Sequence, residues 1–274
     1  AAAGGPDPVP PLPYCVVDTG QTRCFDDAGP LHQVPKPGEP FYGQDACYET
    51  RKPSYRDNGD GTISDLQTGL MWQKAPDLDR KQTFAEAKAR PADCRLAGYV
   101  DWRLPDAKEL QSLVDYTRAP DARDPAARGP AIDPVFRLTD GEAWFWSGTT
   151  HLDGPGRPGG AAVDIAFGRA MGAMPGPGGR KAPMNVHGAG AQRSDPKSGD
   201  PARYAGGLGP QGDEIRILNY ARAVRNIDPA SVRRVLPELT PAPGSPPAGR
   251  ARRTRDRQSG CVGVLLHVLF IALE

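Results

Sequence analysis

Seven side chains in the middle of this chain have the types that polar recognition uses: Trp146, His151, His187, Gln192, Arg193, Asp195 and Lys197. Five of them fall between positions 187 and 197, in a stretch rich in glycine, with Ser194 among them. Arginine and lysine in such a place would contact sulfates or carboxylates, while glutamine and aspartate would bond hydroxyls. An exposed tryptophan would stack on a sugar ring. The bland reading competes at each position: a solvated loop held by its own hydrogen bonds, and Trp146 as core beside Phe145.

Catalytic signals are thin. The histidines are His32, His151, His187 and His267, and no Gly-x-Ser-x-Gly elbow, paired-histidine zinc helix or phosphate loop occurs. No catalytic residue is therefore assigned. Asp57, Asp60 and Asp65 share a glycine-rich loop, which invites a calcium reading, but the third and fifth loop positions are Gly59 and Gly61 where oxygen ligands would be needed. Turn chemistry accounts for these aspartates better. With no Cys-x-x-Cys pair either, no metal and no cofactor is expected. Trp72 and Trp102 read as core, and Arg216, Arg222 and Arg225 as a basic rim on the last strand.

The elements that would position these groups are short. Residues 55–73, YRDNGDGTISDLQTGLMWQ, read as three strands joined by turns at Asn58-Gly59, Asp60-Gly61 and Thr68-Gly69. Thr83 with Glu86, and Asp106 with Glu109, match helix capping boxes. The first helix runs to about Arg90, before Pro91. The second carries Ala107, Leu110, Leu113 and Val114 on one face. Trp144-Phe145-Trp146 and residues 161–167 read as buried strands, and residues 215–224 as a closing strand. Between 154 and 212, Gly or Pro occupies 24 of 59 positions, which predicts loops on a rigid scaffold.

Composition agrees with a loop-rich architecture. The 274 residues include 33 Gly and 31 Pro, with 38% hydrophobic residues, so the core must be economical. A net charge of +1 provides no global field for nucleic acid or anionic lipid, and the five arginines at 250–257 have no aromatic interleaving. No nucleic-acid partner is expected. Three of five cysteines fall in the first 47 residues, which suits a stapled segment in an oxidising compartment, so an extracytoplasmic location is expected. The chain divides into a Pro-rich lead (1–13), an extended wrapping segment (14–54), a main domain (55–226), a Pro/Arg-rich linker (227–260) and a short apolar tail (261–274). The run at 261–273 is too short to span a bilayer, so membrane contact would require it to be a truncated anchor.

The residues at 57–72, at 97–115 (AGYVDWRLPDAKELQSLVD), at 131–136 (AIDPVF) and at 145–149 (FWSGT) occur in an order that resembles the Lcl C-terminal domain family, a domain of unknown function. The closing NYARAVR at 219–225 and the segments at 16–26, 41–49 and 186–201 resemble parts of its larger members. The resemblance implies an α+β, C-type-lectin-like fold: a twisted antiparallel sheet, two flanking helices and long Gly/Pro-rich loops. It also implies a secreted or surface-attached bacterial protein, since the adhesin that names the family binds sulfated polysaccharide. Where the family's closing strand carries a cysteine this chain has Ala223, which leaves Cys94 without its usual partner. The resulting expectation is a non-enzymatic binding or adhesion module that meets a sulfated or acidic polysaccharide, or a surface protein, through its long loops. An enzyme of the same fold and a structural accessory domain are the alternatives.

Overall fold

A computed structural model of the chain describes residues 16–48, 51–153, 158–175, 179–204 and 214–227. The three predicted strands are present as β1 (Tyr55–Asp57), β2 (Thr62–Asp65) and β3 (Leu70–Gln73). They form an antiparallel meander, with Asp57 opposite Ile63 and Ile63 opposite Trp72. Turn chemistry sets this register. Asp60 Oδ1 accepts the Thr62 amide at 3.0 Å, and Asp65 Oδ1 accepts the amides of Gln67 and Thr68 at 3.0 and 3.2 Å. Gly61 sits at φ +89°, a conformation that costs a side chain dearly, with Leu96 packed against its missing Cβ.

Both capping boxes form. Thr83 accepts the Glu86 amide and Glu86 accepts the Thr83 amide at the start of α1 (Phe84–Ala89). Asp106 and Glu109 do the same for α2 (Ala107–Gln111), where Arg103 also forks onto both Glu109 oxygens at 2.6 Å. The second helix stops earlier than its apolar pattern. Leu113 and Val114 donate to Leu110 and Gln111, so the chain tightens into i→i+3 turns, yet both side chains still enter the core.

The region between 154 and 212 departs from expectation. Beside β5 (Ala161–Ala166), the strand expected at 161–167, its described part holds three strands where loops were expected: β6 (Met171–Pro175), β7 (Lys181–Asn185) and β8 (Gln192–Pro196). Gly and Pro there punctuate short strands, and each hairpin partner satisfies the backbone of the other. Together with β4 (Trp144–His151), strands β5 and β8 make a three-stranded antiparallel sheet in the order β4–β5–β8, while β6 and β7 pair separately. Helix α2 delivers Leu110 to the core cluster that holds Phe145 and Ile165. Helix α1 delivers Phe84 to Trp146 and Ala162 on the opposite face. The molecule is thus mixed α and β, mostly antiparallel strands with few helices, and holds three sheets where one was expected.

The reason lies in the closing segment. The predicted strand at 215–224 is displaced: β9 is Val224–Asn226, pairing with β3. Just before it, Tyr220 exchanges backbone bonds with Trp144 and Trp146 at 2.8 and 2.9 Å, and Asn219 exchanges them with Gln82 at 3.0 and 2.7 Å. Residues 219–226 therefore serve first the β4 sheet and then the β3 sheet, stitching two cores together. Ala223 packs in a cluster with Met71 and Trp102, against which Cys94 also packs.

The segment from residue 16 to 48 is mostly exposed, with Cys24 and Pro35 buried. It docks through Tyr116 N to Thr19 O (3.2 Å) and Asp18 N to Arg51 O (2.8 Å). The lead at 1–13 and everything from 228 onward, including the 261–273 run, lie outside the described residues. Among the described residues no helix is long and apolar enough to cross a membrane.

Candidate functional site

Strand alternation disperses the predicted cluster. Along β8, Gln192 and Ser194 face one way and Arg193 and Asp195 the other, because successive side chains of a strand point to opposite faces. Ser194 Oγ lies 3.0 Å from His151 Nδ1, across the sheet at the end of β4. Arg193 Nη1 lies 2.7 Å from His187 Nε2. Lys197 donates to Thr150 Oγ1 at 2.7 Å and to Gly159 O at 2.9 Å, with its ammonium 5.3 Å from the centre of the Phe84 ring. Its charge is already engaged by the fold.

Trp146 and Asp195 are interior residues and present no surface to a ligand. The Trp146 indole donates to Gln82 O at 3.0 Å and meets Phe84 edge-on at 5.6 Å, because α1 covers that face of the sheet. The basic rim is also interior. Arg222 is fully buried, Arg216 stacks its guanidinium 4.4 Å above the Trp144 ring, and Arg225 forks onto Asp101 at 2.6 and 3.1 Å over Tyr99. Exposed polar fringe therefore reduces to His151 and Gln192, with His187, Arg193 and Lys197 half-buried. The Ser194–His151 contact is the beginning of a nucleophile–base pair, but among the described residues no carboxylate orients the ring.

Under this fringe lies a pair of carboxyls. Asp164 on β5 shares a sheet face with Asp195 on β8, and both are buried. Asn219 Nδ2 donates to Asp164 Oδ2 at 3.2 Å, and the Asn219 backbone is held in turn by Gln82. Burial raises the pKa of both acids, that of Asp164 well above the usual carboxylate range, with the Asp195 charge adding to the effect. Asp195 is raised less because the Arg216 amide bonds it, and the Arg216 and Arg193 charges offset part of its desolvation. Two neighbouring carboxyls inside protein are costly to ionise together, and the larger upward shift falls on Asp164. Sequence reading missed Asp164, although an acid inside the apolar run AAVDIAF was a visible signal.

An open cleft lies elsewhere. It encloses about 660 Å³ between the docked amino-terminal segment (Arg23, Phe25) and the loop after α2 (Tyr116, Thr117, Arg123). Phe25 and Tyr116 are 46% and 42% exposed, which is unusual for large aromatic side chains and leaves their faces available. Arg23 lies 6.0 Å from the Phe25 ring centre. Tyr116 is fixed from behind, its hydroxyl donating to Gly190 O at 3.3 Å and accepting from Gln111 Nε2 at 3.0 Å. Gly190 has φ +87°, and a Cβ there would come within 2.8 Å of the Tyr116 ring, so no larger residue fits without displacing the tyrosine. The two walls come from segments some hundred positions apart in the chain, read singly as turn-rich, and are brought together by contacts such as Tyr116 N to Thr19 O (3.2 Å) and Gln21 Nε2 to Tyr116 O (3.4 Å).

No curated protein and no solved structure gives a match to this chain. The family model of the Lcl C-terminal domain matches residues 61–178, a stretch holding the β2–β3 meander, both capped helices and strands β4 to β6.

Proposed function

We propose that this protein is an extracytoplasmic, non-enzymatic binding module of C-type-lectin-like fold, and that it holds a sulfated or acidic polysaccharide. The observation that carries the reading is the open cleft, where two exposed aromatic faces stand beside two exposed arginines, Arg23 and Arg123. Aromatic faces accept the apolar side of a sugar ring. Guanidinium groups bond sulfates and carboxylates through paired N–H donors. With a net charge of only +1, attraction must be local to this cleft rather than a property of the whole surface. The location rests on the crowding of cysteines into the amino-terminal segment, and the fold on a strand-rich core flanked by two capped helices.

Surface plasmon resonance on immobilised heparin and on neutral dextran tests the proposal. Wild-type protein is expected to bind heparin at low salt, to release it as salt rises, and to ignore dextran. Arg23→Ala with Arg123→Ala should weaken binding by about tenfold or more, since each charge-assisted contact contributes roughly 1.5–3 kcal/mol. Arg193→Ala with Lys197→Ala should change it far less, because Lys197 is held by Thr150 and Gly159. Absence of binding to either polymer at low salt would replace this reading with that of a structural accessory domain.

A further inference from the structure

We propose that Cys24 and Cys47 are the two halves of a disulfide that forms when the protein meets an oxidising environment and closes the amino-terminal wall of the cleft. Their Sγ atoms lie 3.6 Å apart, in contact although unbonded. Both backbones are held independently of the sulfurs. Cys24 accepts from Leu31 N at 2.8 Å across a turn in which Phe25 bridges Pro30, and Cys47 ends a 3-10 turn in which its amide donates to Gln44 O at 2.8 Å. The Gln44 side chain ties one site to the other. It accepts from Phe25 N at 2.9 Å and donates to Phe25 O at 2.7 Å, in the manner of a neighbouring strand, and donates also to Phe41 O at 3.0 Å. The thiols therefore face each other because the chain around them is already in register.

The segment also needs the bond. Between residues 16 and 48 the buried side chains are Cys24 and Pro35, while Phe25, Val34, Phe41, Tyr42 and Tyr48 remain exposed. Phe41 moreover occupies φ +65°, an unfavourable conformation for an aromatic residue that surrounding structure must hold. A segment with so little apolar burial has little to oppose its conformational entropy, and a covalent link that closes its loop removes much of that entropy from the open state. Cys47, half-buried, is the more accessible thiol and Cys24 the enclosed one. Cys47 as thiolate attacks a disulfide-bearing oxidant such as oxidised glutathione, forming a mixed disulfide and releasing one thiol. Cys24 then gives up its proton and attacks Cys47 Sγ, releasing the second thiol. Two electrons and two protons pass to the oxidant.

The full chain equilibrated in glutathione redox buffer, alkylated and mapped by mass spectrometry, gives the test. The expected product is a peptide linking Cys24 to Cys47, with Cys94 alkylated. In the oxidised protein, proteolytic cleavage between residues 24 and 47 should slow by about tenfold or more against the reduced protein. Cys24→Ala and Cys47→Ser should each abolish that difference, and the double variant should cleave no faster than either. Reduction of wild-type protein with dithiothreitol should reproduce the variants' cleavage, which keeps the test valid where a variant folds poorly. Both thiols remaining alkylatable in a buffer that oxidises them when unfolded, or a link from either one to Cys15, Cys94 or Cys261, would overturn the assignment.

Discussion

Replacing Arg222 with methionine should destabilise the protein by about 3 kcal/mol or more, enough to unfold an appreciable fraction at ordinary temperatures. Its guanidinium, fully buried, donates to the carbonyl oxygens of Gln73 and of Lys74 (2.7 Å) and to Arg137 O at 2.7 Å. It lies 5.1 Å from the Phe136 ring centre and 5.4 Å from that of Phe145. Burial lowers its pKa to about 9, which still leaves it charged at neutral pH. Among the described residues the charge meets no carboxylate and is stabilised by carbonyl dipoles and two ring faces instead. Methionine matches the length and the apolar stem but removes the donor that the carbonyls of Gln73 and Arg137 use, at a cost of roughly 1–3 kcal/mol each where buried, while Lys74 O keeps the Arg137 amide at 2.8 Å. Because those carbonyls belong to the end of β3 and to the loop after Phe136, both halves of the molecule lose the tie that the closing segment makes between them. Lysine should recover part of the loss, since one ammonium carries three donors without the guanidinium's planar spread. Urea denaturation measures both variants, and a loss under about 1 kcal/mol for the methionine variant would show that the carbonyls find other donors or water.

A second large effect concerns the buried carboxyl pair and depends on pH. Asp164 and Asp195 both titrate higher in the folded protein than in the unfolded chain, where they ionise near 3.8. Below that value both states hold the protons and the pair contributes no penalty. As pH rises above it, the unfolded chain releases protons that the folded protein retains, so stability falls until the folded pKa values are passed. The slope is about 1.4 kcal/mol per pH unit for each retained proton. Asp164→Asn removes that requirement while keeping the Asn219 contact: an amide oxygen can accept from Asn219 Nδ2, and an amide N–H can donate towards Asp195 as a protonated Asp164 would. The charges that then face Asp195 are Arg193 and Arg216, both attractive. Thermal melts from pH 4 to pH 9 should show the wild type losing stability as pH rises and the asparagine variant doing so much less. Near neutral pH the variant should be the more stable by at least about 1.4 kcal/mol, the equivalent of one pH unit. A variant less stable than wild type at every pH would mean that Asp164 is not held protonated in the folded protein.

These two sites mark the boundary between what could be read from residue order and what could not. Local signals sufficed wherever the interacting groups are a few positions apart. The turns around Asp60 and Asp65, the capping boxes at Thr83 and Asp106, and the burial of Trp72 and Trp102 each depend on contacts within one element or on side-chain chemistry that works anywhere. The family pattern was legible for the same reason, as it is carried by those short motifs. Glycine and proline content misled between 154 and 212, because it marks where strands end without saying whether strands lie between the marks. Arg222 was read as rim since an arginine near a strand is usually solvated; its carbonyl partners at 73, 74 and 137 are far off in sequence. The candidate cleft likewise needs residues 23–25 and 116–123 side by side, a contact between distant segments that no local preference encodes. Residue order by itself determined the short elements and their caps. Tertiary structure alone decided which charges went inside and which aromatic faces were left to water, because burial is settled by what packs from elsewhere in the chain.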